Sequence, residues 1–203
     1  VIKANRNLAL STTGILKNQT VLEAVGNLTL TAASLDNQIA ATINASNTTL
    51  NSTGRITNAG RITGNNVSST SASFSNTGSV MGNVITLNTG SLDNTGAVAF
   101  IGASQQLNLA IANSLGNKDG ATLYSLGDVN IGANLGINPA TGYLLGNTGS
   151  VLNSSAIIEA GGNLRIAANT LTNQRSVVGV QWGASWAGTP VVNTPVQGGP
   201  AVL

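Results

Sequence analysis

The sequence contains no cysteine and no histidine, and only 7% of its residues are charged. The chain therefore has neither disulfides nor the Cys and His clusters that bind zinc. Six carboxylates remain as candidates for acid and base chemistry: Glu23, Asp36, Asp93, Asp119, Asp128 and Glu159. No Asp-rich calcium-binding repeat is present, and the glycine-rich segments lack the lysine of a phosphate-binding loop. We expect no metal and no cofactor.

Long hydrophobic runs and clustered charges are also missing. No apolar run approaches the roughly twenty residues of a membrane-spanning helix, so we expect no membrane-spanning segment. The formal net charge is +2, and the 8 lysines and arginines are scattered along the chain. Scattered charge provides no track for phosphates, which argues against nucleic acid as a partner. A hydrophobic fraction of 41% argues against disorder.

What the chain does contain is repetition. The segment 26–38, GNLTLTAASLDNQ, returns as GNLRIAANTLTNQ at 162–174, with seven of thirteen positions identical. Between them an apolar residue followed closely by Asn recurs at Ile56-Asn58, Phe74-Asn76, Leu92-Asn94, Leu115-Asn117 and Leu152-Asn153. Internal repetition of this kind indicates a solenoid.

The repeat length selects the type of solenoid. The recurring asparagines are separated by 19, 21, 18, 18, 23, 36 and 20 residues. Helical-hairpin repeats need more than about thirty residues, whereas one rung of a parallel β-helix fits about twenty. Leu28, Leu30 and Ala32 alternate with polar residues, as in a half-buried strand. The sequence predicts an all-β fold, a single-stranded parallel β-helix of about eight to nine rungs.

Stacking of rungs gives the recurrent asparagines a structural role. Equivalent residues of neighbouring rungs lie about 4.8 Å apart, so each side-chain amide can donate to the amide oxygen of the next. Turn chemistry at the surface is the alternative, because Asn also suits tight corners. The predicted structural ladder comprises Asn18, Asn37, Asn58, Asn76, Asn94, Asn117, Asn153 and Asn173.

Composition divides the chain into a repeat region, 1–175, and a tail, 176–203. Within the repeat region, the interval 132–150 carries Pro139 and Tyr143 and is predicted to be a loop extruded from a corner. The tail contains Trp182 and Trp186, and it could be a cap, a linker or the start of another domain. Tyr143 and the two tryptophans are candidate partner contacts, although the tryptophans could instead cover the last rung. Since no initiator Met or signal peptide opens the chain at Val1, we expect an internal fragment of a longer protein.

Three segments carry a resemblance to a known family: LYSLGDVNIG at 123–132, AIIEAGGNLRIAANTLTN at 156–173 and SLDNTG at 91–96. They resemble the haemagglutinin repeats of filamentous haemagglutinin and of contact-dependent growth inhibition exoproteins, over roughly residues 5–175. The resemblance implies a right-handed parallel β-helix, exported across the bacterial outer membrane by a two-partner secretion transporter. It also implies a secreted or cell-surface location, and the role of a stalk in an adhesin or toxin carrier.

Two other functions compete with the stalk. Parallel β-helices can carry glycosidases, but Asp36 and Asp93, which share a repeat position, would lie about 14 Å apart across three rungs. A glycosidase pair needs roughly 5–9.5 Å, so we expect no enzyme and no catalytic residue. A recognition module remains, binding a host or neighbouring-cell receptor or glycan through the 132–150 loop or the Trp-bearing tail.

Overall fold

The structure is a computed structural model, and it describes residues 1–175. These residues form strands, turns and bends and contain no helix. They build a β-solenoid whose successive coils stack in parallel register. Each coil has three sides, here called A, B and C in chain order.

The first three coils each contain three short strands: β1 (Ile2–Ala4), β2 (Leu8–Ser11), β3 (Ile15–Asn18), β4 (Val21–Ala24), β5 (Asn27–Ala32), β6 (Ser34–Asn37), β7 (Thr42–Asn44), β8 (Asn47–Ser52) and β9 (Arg55–Asn58). The next three coils are long strands that run around all three sides: β10 (Arg61–Asn76), β11 (Ser79–Thr95) and β12 (Phe100–Lys118). The last strands are β13 (Thr122–Ser125), β14 (Asp128–Gly132), β15 (Asn134–Ile137), β16 (Leu144–Gly146), β17 (Thr148–Ser154), β18 (Ile157–Ala160), β19 (Leu164–Ile166) and β20 (Ala168–Gln174).

Strand pairing defines the stack. Along side A the parallel pairs run β1, β4, β7, β10, β11, β12, β13 and β18, which makes eight coils over residues 1–175. The strands of sides B and C stack coil by coil in the same way. On side C, β12 pairs directly with β17, and β17 pairs with β20. The predicted all-β parallel β-helix is therefore confirmed.

The core consists of apolar columns that run parallel to the solenoid axis. Strands alternate buried and exposed residues, because side chains of a strand point alternately to its two faces. On side C one column contains Leu35, Ile56, Phe74, Leu92, Leu115 and Val151. Each of these side chains is at most 1% exposed, and burial of each contributes about 1.5–3 kcal/mol. The core thus needs very few aromatic residues.

Coil 7 places Val151 in this column, and not Leu152, which the repeat pattern had paired with Asn153. Val151 is the register partner of Leu115, whereas Leu152 is the partner of Gly116 and points outward. The repeat unit in this coil keeps the same apolar-x-Asn spacing as the others. Sequence alone favoured the larger of two adjacent apolar residues.

Glycine allows the corner between sides C and A to turn tightly. A Cβ built on Gly78 would overlap the carbonyl oxygen of Gly60 in the preceding coil, and one on Gly60 would overlap the carbonyl of Ala41. Any larger residue would push the coils apart at this corner. The chain can therefore return to side A within two or three residues.

The irregular repeat spacing has two structural causes. The interval of 23 residues ends in coil 6 and exceeds the preceding one by five residues. Three of them extend the corner before Phe100, and one at each of two corners within β12 produces a register shift relative to β11. The interval of 36 residues falls in coil 7, where β15 and β16 pair as an antiparallel hairpin between β14 and β17. Both insertions lie at corners, so the stacking of the sides continues.

Candidate functional site

The eight predicted asparagines lie in one column at the end of side C. Each Nδ2 donates to the Oδ1 of the asparagine in the following coil, at 2.8–2.9 Å from Asn18 through to Asn173. Six of them, from Asn18 to Asn117, are buried. A buried amide that lacked partners would be costly. Stacking supplies the five from Asn37 to Asn117 with both a donor and an acceptor, and the Oδ1 of Asn18 accepts from the N–H of Thr20.

The same amides also fasten the corner to side A. The Nδ2 of Asn94 donates to the carbonyl of Thr122 at 3.1 Å, and that of Asn117 to the carbonyl of Ile157 at 2.8 Å. Asn37 and Asn58 make equivalent bonds to Arg61 and Ser79. The ladder and turn interpretations of these asparagines are therefore not exclusive, because each side chain links three consecutive coils and holds a corner.

A second asparagine ladder lies on the surface at the start of side B. Asn47 donates to Asn27 and Asn66 donates to Asn47, both at 2.8 Å, and Asn7 accepts from the backbone N–H of Asn27. The amides of this column donate toward the preceding coil, whereas those of the inner ladder donate toward the following one. Sequence reasoning missed it, although residues 7, 27, 47 and 66 are spaced by 20, 20 and 19 residues.

The hairpin β15–β16 presents apolar side chains to solvent at the corner between sides B and C. Tyr143 is 75% exposed, Leu145 60% and Ile137 46%. Its tip is closed by a hydrogen bond of 2.8 Å from the N–H of Asn138 to the carbonyl of Tyr143, and Gly142 has φ 73°, which glycine adopts readily. Tyr143, the predicted contact residue, thus projects from an ordered turn.

The carboxylates are dispersed, and three of the six are paired with cations. Lys3 pairs with Glu23 at 2.6 Å, Lys118 with Asp93 at 2.7 Å and Arg165 with Asp128 at 2.9 Å. Hydrogen bonding by the backbone N–H of Asn163, and then by Arg165, holds the pKa of Asp128 below its ordinary value, against a smaller opposing effect of burial. Within residues 1–175 no group of three or more Asp and Glu side chains is placed to hold a metal ion.

A shallow groove of about 540 Å³ follows the corner between sides A and B across coils 2 to 5. Amide, hydroxyl and small side chains line most of it, with Glu23, Arg61 and Met81. Its single carboxylate, Glu23, is already paired with Lys3. The residues that line the groove therefore do not include the carboxylate pair of a glycosidase.

Trp182 and Trp186 lie outside the described residues. In the part of the chain that the structure describes, no helix has the length and apolar character to cross a membrane. Comparisons with protein-family models, curated proteins and solved structures found no match.

Proposed function

We propose that this chain is a rigid stalk segment of a large secreted or cell-surface bacterial protein, an adhesin or a toxin carrier. The observation that carries the proposal is the continuous column of amide hydrogen bonds from Asn18 to Asn173. A solenoid whose every coil is bonded to both neighbours resists bending and grows in length by adding coils. Such a module separates an anchor from a binding or toxic domain.

The partners follow from this role. The stalk would be exported across the outer membrane by a two-partner secretion transporter, as in the exoproteins whose repeats this sequence resembles. A chain without cysteine avoids cross-links during passage in an unfolded state. Other parts of the longer protein would then contact the receptor or glycan on a host or neighbouring cell.

Mechanical loading tests the proposal. Because the chain has no native cysteine, Lys17→Cys and Thr170→Cys provide unique thiol handles on coils 1 and 8. In optical tweezers the stalk should hold as one body and then unfold in large cooperative steps. Asn94→Leu should lower the unfolding force, whereas the exposed Asn88→Leu should leave it unchanged. Gradual extension from the lowest forces would contradict the role of a rigid stalk.

Direct recognition is a second candidate, favoured by the exposed Tyr143 and Leu145 on an ordered hairpin. Exposed aromatic residues on a rigid support are common anchors of protein interfaces. Replacement of residues 134–146 by an Asn-Gly turn should keep the solenoid folded, because side C pairs past the hairpin. If the hairpin recognises cells, beads coated with the intact chain should bind them, and both this variant and Tyr143→Ala should abolish binding. Equal binding by all three would exclude the hairpin.

A further inference from the structure

Side A carries a stripe of one methionine and two aromatic side chains, here called the aromatic stripe: Met81, Phe100 and Tyr124 on coils 5, 6 and 7. Met81 and Tyr124 are register partners of Gly102 on either side. The ring of Phe100 lies over Gly102, since a Cβ on Gly102 would overlap its Cε1 and Cζ atoms. The three side chains therefore form one half-buried row parallel to the solenoid axis, in a chain with only two Phe and two Tyr.

Opposite charges lie at the two ends of this stripe. Arg61 is on coil 4 and Glu159 on coil 8, each two coils from Phe100 along the strand order of side A. Both are exposed, and among residues 1–175 neither forms an ion pair. The other two charges that side A presents, Lys3 and Glu23, neutralise each other. The two halves of side A on either side of Phe100 thus correspond: Met81 corresponds to Tyr124, and Arg61 corresponds to Glu159, which has the opposite charge.

We propose that side A pairs face to face with side A of a second copy of this chain, with the two solenoid axes antiparallel. The twofold axis lies in the interface, parallel to the strands, and passes through coil 6. An isologous interface of this kind must be self-complementary, because every contact occurs twice. The stripe meets that condition: Phe100 faces its own copy, and Met81 faces Tyr124 of the second copy.

Charge selects this arrangement over a parallel one. Coil 4 faces coil 8 of the second copy. At both ends of the stripe Arg61 therefore lies two strand residues, or about 7 Å, from Glu159, a separation that these two long side chains can span. In a parallel pair every coil would face its own equivalent, and Arg61 would lie near Arg61 and Glu159 near Glu159. Like charges in apposition are destabilising, whereas opposite charges set orientation.

The size of the surface sets the expected strength. Five coils at about 4.8 Å span about 24 Å, and a four-residue strand adds about 13 Å of width, or about 300 Å² for each copy. Stable complexes bury about 800 Å² per partner. We therefore expect a weak dimer that forms at high concentration and that neighbouring contacts along longer rods would strengthen.

Charge reversal provides the test, with sedimentation equilibrium of the full chain up to roughly millimolar concentration as the readout. The wild-type chain should show a reversible monomer–dimer equilibrium. Arg61→Glu and Glu159→Arg should each weaken association about tenfold, since each places like charges together at both ends. The double variant should recover the wild-type dissociation constant. Arg55→Glu changes an exposed charge on side C by the same amount and should have no effect.

Displacement of the ring tests the apolar part independently. Gly102→Ala removes the space in which Phe100 lies and keeps every aromatic residue, and Tyr124→Thr removes one contact. Both should weaken association, with thermal unfolding measured in parallel to show that the solenoid is intact. A wild-type chain that stays monomeric overturns the proposal. So does a dimer whose dissociation constant is unchanged by the two charge reversals.

Discussion

At the scale of single residues, the asparagine ladder shows why one residue type recurs when others would fill the same space. The side-chain amide has a donor and an acceptor on opposite ends, so it can bond to the coils on both sides of it. Leucine has a similar size but no polar atoms. Its presence in the column would take one hydrogen bond from each of the amides above and below it.

Replacement of Asn94 by Leu should therefore destabilise the chain by about 1–3 kcal/mol, because the ladder bonds to Asn76 and Asn117 and the corner bond to Thr122 are lost. Urea unfolding followed by circular dichroism measures the change. Asn88→Leu is the matched control, since Asn88 is exposed on side B. If Asn94→Leu and the control unfold at the same urea concentration, the ladder does not contribute to the stability of the chain.

Ser69 shows the opposite case, a buried polar atom that stacking does not satisfy. It stands between Leu50 and Leu87 in an apolar column of side B, and its hydroxyl has no hydrogen-bond partner. Ser69→Ala should leave the free energy of unfolding unchanged or raise it by up to about 1 kcal/mol.

The matched control is Ser52→Ala, which removes a hydroxyl that donates to the carbonyl of Ala33 at 2.9 Å. This variant should lose about 1 kcal/mol. If Ser69→Ala loses as much as Ser52→Ala in the same urea titration, the Ser69 hydroxyl has a partner that the geometry does not show.

At the scale of strands, a carboxylate links coils 7 and 8 at the start of side B. It lies on the same side of the solenoid as the surface ladder of Asn7, Asn27, Asn47 and Asn66. Asp128, the first residue of β14, accepts a hydrogen bond of 2.8 Å from the backbone N–H of Asn163 and forms an ion pair with Arg165 of β19. Its carboxylate links these two strands of neighbouring coils, as the side-chain amides of the ladders link other coils. This link depends on pH, whereas the amide links do not.

The pKa of Asp128 is lowered in the folded state, so the folded chain binds its proton less readily than the unfolded chain. The stability that results is present above about pH 4 and is lost as pH falls through the lowered pKa. Urea midpoints measured between about pH 6 and pH 2 should therefore fall less steeply for Asp128→Asn than for the wild type. Identical slopes for Asp128→Asn and the wild type would contradict the assignment.

Strand-level features also mark how far the sequence could be interpreted. Spacing alone located the column from Asn18 to Asn173, because a buried amide tolerates few substitutes and recurs almost unchanged. The outer ladder was missed because Val84 interrupts it after Asn66. The aromatic stripe was not predictable, since Phe100 occupies a different repeat position from Met81 and Tyr124 and reaches their row only by lying across Gly102.

The hairpin illustrates a further limit. The interval 132–150 has turn-forming residues and no alternating pattern, so the sequence predicted a loop. The strands β15 and β16 pair there because Gly136, Gly142 and Gly146 allow close approach and a tight tip, which composition does not distinguish from an irregular loop. The position of this insertion at a corner, by contrast, could be predicted, because the interval between Asn117 and Asn153 is longer than the other repeats.

At the scale of the whole molecule, the solenoid is a stack in which length is proportional to the number of coils. Within residues 1–175 each coil pairs along its sides with the coils next to it, and the corner amides reach one coil further, so stability and shape are sums of local terms. Residues 61–78 form one complete unit, because Arg61 and Ser79 are register partners. Their removal would join Gly60 to Ser79 and bring Asn58 beside Asn94 in the ladder.

The most direct test of the rigid stalk is the distance between spin labels at Lys17→Cys and Thr170→Cys, seven coils apart, measured by pulsed dipolar spectroscopy. For the intact chain the account predicts one narrow distribution of distances centred at about 34 Å. Deletion of residues 61–78 should move its centre to about 29 Å, since each coil adds about 4.8 Å. A broad distribution in the intact chain, or a distance that does not shorten by one coil spacing on deletion, would contradict it.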